Sequence, residues 1–303
     1  MRLSFYCVLE VGIEDPDEPK DPETPHFIPA YSQKVKASKE FQTFQFDHSF
    51  VLNSLKSSME GYVFHNQPLD TDDLLEQTVK LFNSCKTSLE LFDMLHNMRA
   101  YDDSTYAHSL NVALICRRIG KWLKVDAATL DTLTLCGLLH DIGKLKIPDE
   151  ILNKPGKYTD EEFDLVKRHT KFGYELLKTL NIDPHIKKAA LLHHERCDGS
   201  GYPLKATQKD LDDFSMVVAI ADVYDAMTAA RSYRAPLCPF QVIERFEQEG
   251  LQKYKPKFIL TFLQHIASTY QNNRVLLSNG QSANIVMLNQ QHLARPIVQL
   301  NDN

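Results

Sequence analysis

Residues 140–144 read His-Asp-Ile-Gly-Lys. His140 and Asp141 together offer a cation one imidazole nitrogen and one carboxylate, and a carboxylate can bridge two ions where an imidazole cannot. Gly143 lets the chain turn out of the preceding helix. Lys144 sets a mobile positive charge one step beyond, where a phosphate would sit. Alone, these residues also fit a polar helix end with a glycine cap. What changes the balance is the supply of similar side chains elsewhere. His108 shares a helical face with Val112, Ile115 and Ile119 and so points inward. His169 lies on a helix opened by Thr159, and His193 and His194 end an apolar run from Ala189. Asp222 and Asp225 share one face of the segment 216–230, which is apolar nearly all round and so buried. A buried carboxylate needs a cation, and a metal ion is the economical partner.

The set His108, His140, Asp141, His169, His193, His194 and Asp222 is too large for one tetrahedral zinc. It suits two ions of octahedral preference, with Asp141 between them and positions left for water and substrate. Ligation rich in nitrogen and free of thiolate points first to iron or manganese. The other histidines (His26, His48, His65, His96, His185, His265, His292) have no matching context and are expected on the surface or in the core.

The elements that must position these ligands are mostly helical. Residues 1–70 read as an N-terminal arm or accessory segment: a possible strand at 3–11, a Pro- and acid-rich stretch, then a loose helical pattern over 33–64. Residues 71–272 form a helical domain whose motif core spans about 100–270. Asp70-Thr71-Asp72 opens its first helix, 88–98 continues with Leu91, Phe92, Leu95 and Met98, and Asp126 or Thr129, Asp183-Pro184 and Pro239 open others. Gly173 is expected to break or bend the helix carrying His169. The helices of 70–98 are expected in the core, with homodimerisation through them as the alternative. Residues 273–303 change period and predict short strands around a Ser278-Asn279-Gly280 turn, a small β unit that is complete or cut short.

Composition fits this picture, at 43% hydrophobic and 24% charged over 303 residues. A net charge of -6 and a pI near 6.1 argue against a DNA or RNA polymer or an anionic membrane as partner. Six scattered cysteines without a Cys-x-x-Cys spacing predict reduced thiols and a cytoplasmic setting. No stretch reaches the ~18–20 apolar residues of a membrane span.

Taken in order, several motifs resemble the HD-GYP domain, a branch of the HD phosphohydrolase superfamily. They are 105–109 (Thr-Tyr-Ala-His-Ser), 140–144, His169 with Gly173, the run 193–203 (His-His-Glu-Arg-Cys-Asp-Gly-Ser-Gly-Tyr-Pro), and 222–228 leading to Arg231-Ser-Tyr-Arg234. The His-His-Glu-x-x-Asp-Gly-x-Gly-Tyr-Pro run is the most specific of them. The resemblance implies an all-α fold with metals between helices, and hydrolysis of cyclic di-GMP to linear pGpG, possibly on to GMP. The attacking group would be a hydroxide bridging two metal ions. It implies His108, His140, Asp141 and Asp222 at one ion, and Asp141, His169, His193 and His194 at the other. Some members hold a third ion through an acid four residues before the first histidine. Ser104 stands there, so two ions are expected. Thr170 stands where the family usually has proline.

Around the ligands, Asp141 and Lys144 are assigned to catalysis, with Lys144 contacting a phosphate oxygen. Arg231 and Arg234 can hold phosphate or guanine, or cap a helix. Asp225 can orient the nucleophile, meet a guanine edge, or pair with an arginine. The loop of Asp198, Gly199, Gly201, Tyr202 and Pro203 can line the site, act as a structural lid, or meet a signalling partner, and Asp198 can support a ligating histidine. Two alternatives remain: a phosphohydrolase for another cyclic dinucleotide or nucleotide, and a nucleotide-binding signalling module with little catalysis.

Overall fold

The computed structural model describes residues 31–98, 104–154, 156–229, 237–277 and 281–301. The chain runs through α1 (Tyr31–Ala37), α2 (Lys39–His65), α3 (Thr71–Ser84), α4 (Ser88–Met98), α5 (Thr105–Trp122) and α6 (Ala127–Leu139). A 3-10 turn (Ile142–Lys146) leads to α7 (Asp149–Leu152), α8 (Asp160–Lys167), α9 (His169–Leu177) and α10 (Pro184–Leu192). After a long loop come α11 (Asp213–Thr228), α12 (Pro239–Glu249) and α13 (Pro256–Thr269), then the strands β1 (Arg274–Leu276), β2 (Ser282–Met287) and β3 (Ile297–Leu300). The expected fold is therefore found: a helical body with a small antiparallel sheet, in the order β1-β2-β3, at its C-terminal side. The Ser278-Asn279-Gly280 turn lies outside the described residues.

Most helix starts follow local chemistry. Asp70, Asp126 and Asp212 accept hydrogen bonds from backbone N–H groups in the first turns of α3, α6 and α11. Thr159 and Glu162 close a reciprocal capping box on α8. Asp183 caps α10, with Pro184 in its first turn. Ser104 caps α5 through Ala107 N at 3.2 Å, which gives that residue a structural role.

The helices α5, α6, α10 and α11 pack together as the centre of the body, where Val112, Ile115, Leu138, Ala189, Val218, Ala219 and Ala221 have no exposed surface. Small side chains on α10 and α11 let backbones approach, and this brings their histidines and aspartates together. Leu91, Phe92, Leu95 and Met98 are buried in the same core, as the sequence predicts.

Two readings of the chain change. The core does not stop at residue 70: Phe41, Leu55 and Met59 of α2 are fully buried in the cluster that holds α5 and α11. Gly173 does not break its helix. The break falls at Arg168, between α8 and α9, and Gly173 sits within α9 against Ala190 of α10. No described helix is long and apolar enough to cross a membrane. Cys85, Cys116, Cys136, Cys197 and Cys238 are buried thiols outside any disulfide.

Candidate metal centre and active site

Three of the histidines sit where helices end, and this decides which nitrogen each presents. His140 follows α6, His169 follows α8, and His193 follows α10. Each ring turns back to a carbonyl of the helix it ends: His140 Nδ1 to Gly137 O at 2.8 Å, His169 Nδ1 to Val166 O at 2.6 Å, and His193 Nδ1 to Ala189 O at 2.9 Å. A carbonyl can only accept, so Nδ1 carries the proton and Nε2 of the neutral ring keeps its lone pair. The three Nε2 atoms converge on Asp141. Burial pushes His169 down to about 3 and lowers His193 as well, so both rings are neutral near neutral pH. His194 beside them is also held well below its ordinary value, by burial and then by His193.

The fourth corner is built differently. His108 on α5 reaches two carboxylates of α11, with Nε2 3.0 Å from Asp222 Oδ1 and Nδ1 2.8 Å from Asp225 Oδ2. Burial opposes charge on this ring, but the bonds to Asp222 and Asp225 outweigh it and raise His108 to about 9. Asp222 is held well below the carboxylate range: burial opposes this, and the His108 bond and the neighbouring histidines override it.

Asp141 joins the two sides. Its Oδ2 lies 3.3 Å from His140 Nε2 and 3.6 Å from His108 Nε2. Its Oδ1 lies 3.4 Å from His169 Nε2 and 3.6 Å from His193 Nε2. Lys144 Nζ is 2.5 Å from Oδ2. Burial alone would raise this carboxyl, yet His140 and Lys144 keep it well below its usual range. Potential ligand atoms gather in three overlapping groups, each within 4.8 Å: His108 with His140 and Asp222, His169 with His193 and His194, and His140 with Asp141 and His193.

These residues fit a bound cation. His140 Nε2 and Asp141 Oδ1 are buried without a hydrogen-bond partner, and buried polar groups of that kind are rare. His169 Nε2 and His193 Nε2 face each other at 3.3 Å, and with both Nδ1 atoms protonated this sets two lone pairs against each other. A cation between them removes the conflict, whereas a hydrogen bond between two neutral rings in this tautomer does not.

Backbone approach holds the ligands in register. A Cβ on Gly143 would lie 1.9 Å from His169 O and 2.4 Å from Gly173 N. Gly143 therefore serves close packing of the 3-10 turn on α9, rather than a turn out of α6. In the loop, Gly199 has φ +76°. A Cβ on Gly201 would lie 2.4 Å from Glu195 Cα, so the loop lies directly on the His193–His194 segment. The Tyr202–Pro203 peptide is cis, and the Tyr202 ring lies 4.7 Å from that of His194.

Several side chains around the ligands have partners within the chain. Asp225 is buried behind His108 and bonds the ring nitrogen remote from Asp222. That bond fixes the plane of the His108 ring. Asp198 supports no histidine: its Oδ1 accepts from Ser200 N and Oγ inside the loop. Glu195 received no role from the sequence, yet it is fully buried and its carboxylate accepts from Leu204 N at 2.6 Å and Ala206 N at 3.0 Å, fastening the loop beside the histidines. A glutamate directly after two candidate ligands at a helix end was the available signal. Thr170 is buried and bonds Lys167 O within its own turn, leaving His169 in place. Arg231 and Arg234 lie outside the described residues.

Comparison with known proteins follows the same lines. The chain is 34% identical over 183 residues to a 3'3'-cGAMP-specific phosphodiesterase 2 of Vibrio cholerae, covering 59% of this chain and 35% of that protein. It is 35% identical over 178 residues to a cyclic di-GMP phosphodiesterase of Thermotoga maritima, covering 58% and 48%. The chain thus spans between about a third and a half of these relatives' lengths. Among solved structures, Bd1817, an HDG"Y"P protein from Bdellovibrio bacteriovorus, shares the fold with a TM-score of 0.60 at 18% identity, over 77% of this chain and 74% of that one. Residues 73–258 match the HD domain family, a stretch that contains every candidate ligand, and the chain belongs to that family.

Proposed function

We propose that this chain is a metal-dependent phosphodiesterase that opens cyclic di-GMP to linear pGpG, using two divalent cations, iron or manganese, in the cytoplasm. The observation that carries this reading is the split of Asp141, whose Oδ2 faces His140 and His108 while Oδ1 faces His169 and His193. One carboxylate facing two nitrogen-rich groups supports a two-ion reading. The ligands of one ion are His108, His140, Asp141 and Asp222; those of the other are Asp141, His169, His193 and His194. The substrate class comes from relatives named as cyclic dinucleotide phosphodiesterases.

When bound, two such ions lower the pKa of a shared water toward neutrality and offset charge on the phosphate oxygens. The chain's own residues do the rest. The carbonyl bonds at Nδ1 fix the ring planes of His140, His169 and His193 and leave each Nε2 facing Asp141. Asp225 fixes the plane of His108. Lys144 Nζ, partly exposed beside Asp141, can turn toward a non-bridging phosphate oxygen, and Arg231 and Arg234 hold phosphate or base. Glu195 keeps the loop closed over His194.

The test is product formation from cyclic di-GMP by protein loaded anaerobically with ferrous iron, or with manganese, beside Asp141→Ala. Linear dinucleotide from the wild type and none from the variant is the expected result. No product from protein carrying two ions per chain would sink the assignment. The Vibrio cholerae relative supports a second reading, 3'3'-cGAMP as substrate, and equal turnover of both dinucleotides in the same assay would broaden the assignment.

A further inference from the structure

An aromatic path leads from the candidate ligands to the surface. The Tyr202 ring lies 4.7 Å from His194 with planes inclined by 31°. On its outer side the Phe163 ring meets it edge-on, at 6.3 Å and 78°. Phe163 is 45% exposed, and Leu204, two residues after Tyr202, is 58% exposed. Phe163 stands on α8, whose end delivers His169, so its position is tied to the ligands from two directions. Lys167 Nζ lies 5.0 Å from the Phe163 ring centre. A large aromatic ring left nearly half exposed, two ring-steps from a candidate phosphate-cleaving centre, is only partly accounted for by packing.

We propose that Phe163 is a stacking platform for a purine base of the substrate, which rests on the reading of this site as a cyclic dinucleotide phosphodiesterase. A phosphodiester at the ligand cluster carries its nucleosides outward, and the path of rings is the apolar exit. Every nucleobase has a π-face, and stacking on an exposed aromatic side chain tolerates base identity while adding affinity. The Lys167 ammonium near the ring is held in an ion pair with Asp164 at 2.5 Å, so the platform rests on the aromatic face and not on charge. Phe163 touches no candidate ligand, so its contribution belongs to substrate binding rather than to the chemical step.

The experiment compares Phe163→Ala, Phe163→Leu and Phe163→Trp with the wild type, all loaded with manganese. The expected result is a KM for cyclic di-GMP raised about tenfold in the alanine and leucine variants, equivalent to about 1.4 kcal/mol of lost stacking. The kcat, metal content and melting temperature stay near wild type, and the tryptophan variant regains low KM. A second readout does not depend on turnover: GMP should quench the emission of the indole introduced by Phe163→Trp, measured against the wild type, whose single tryptophan is Trp122 on α5. An unchanged KM in Phe163→Ala, or no quenching by GMP, overturns the platform and reassigns the exposed rings to contact with another protein. If the wild type does not cleave cyclic di-GMP, the proposed function falls, while the quenching experiment still decides whether Phe163 stacks a purine.

Discussion

His140, His169 and His193 take their orientation from backbone carbonyls at the ends of α6, α8 and α10, whereas His108 takes its orientation from two carboxylates on α11. The first three rings are fully or almost fully buried, and burial lowers His169 and His193. The fourth has a side chain that is 14% exposed and is raised to about 9 by its carboxylates. One region fixes its rings through main chain that substitution cannot remove. The other fixes a donor through side chains that mutation can remove singly. The same residue type is thus oriented by two routes, and the routes respond differently to perturbation.

The largest effect should come where the routes meet. Asp141→Asn leaves the fold's hydrogen-bonding volume but removes the charge that faces both groups. It should lower hydrolysis by more than about 100-fold, beyond the range seen for residues that only orient a ligand. Elemental analysis should find fewer than two ions per chain. If both ions remained bound with full activity, the two regions would be independent sites and the comparison through Asp141 would fail.

A smaller effect should separate the regions. Asp225→Asn removes the anionic partner of His108 Nδ1 and leaves the backbone-held rings untouched. The expected loss is about 10- to 100-fold in metal affinity or activity, with the ion near His169, His193 and His194 retained. Titrating metal into stripped protein would resolve this as weakening of one binding step. Equal weakening of both steps would show that His108 is not held separately.

How far the sequence foretold this site depends on the range of each interaction. The seven candidate ligands were legible because few residue types can bind a metal, and their spacing put them inward or at helix ends. Caps at Asp70, Asp126, Thr159 and Asp183 were legible because donor and acceptor lie within three residues. Asp225 was legible as a buried carboxylate but not as the partner of His108, which stands 117 residues earlier and across a helix interface. Gly143 read as a helix cap, since nothing local reveals that His169 O would occupy its Cβ position. The burial of α2 was missed because Phe41, Leu55 and Met59 join the core through long-range packing that a loose pattern does not announce.

The smallest effect is the pH response of protein stripped of metal, where the two regions should have opposite signs. His169 has a folded value of about 3 against 6.5 for the free side chain. Its contribution to stability is therefore present above 6.5 and is lost as pH falls through that value toward 3, because the unfolded chain then binds the proton more readily. His193 and His194 act in the same direction. His108 is raised to about 9, so its contribution is full below 6.5 and is lost as pH rises through 9. Each tenfold change in proton affinity is worth about 1.4 kcal/mol, or roughly 2–4 °C of melting temperature in a chain of this size. Melting curves of chelator-treated protein should therefore fall off on both sides of neutrality. Between pH 6.5 and about 5 the carboxyls of Asp141 and Asp222, held well below their usual range, stay ionised, so this acid limb belongs to the histidines. Asp225→Asn should flatten the alkaline limb alone, and His169→Gln the acid limb alone. If Asp225→Asn moved the acid limb instead, the carboxylate-held and carbonyl-held histidines would be one coupled group, and the contrast between the two regions would have to be given up.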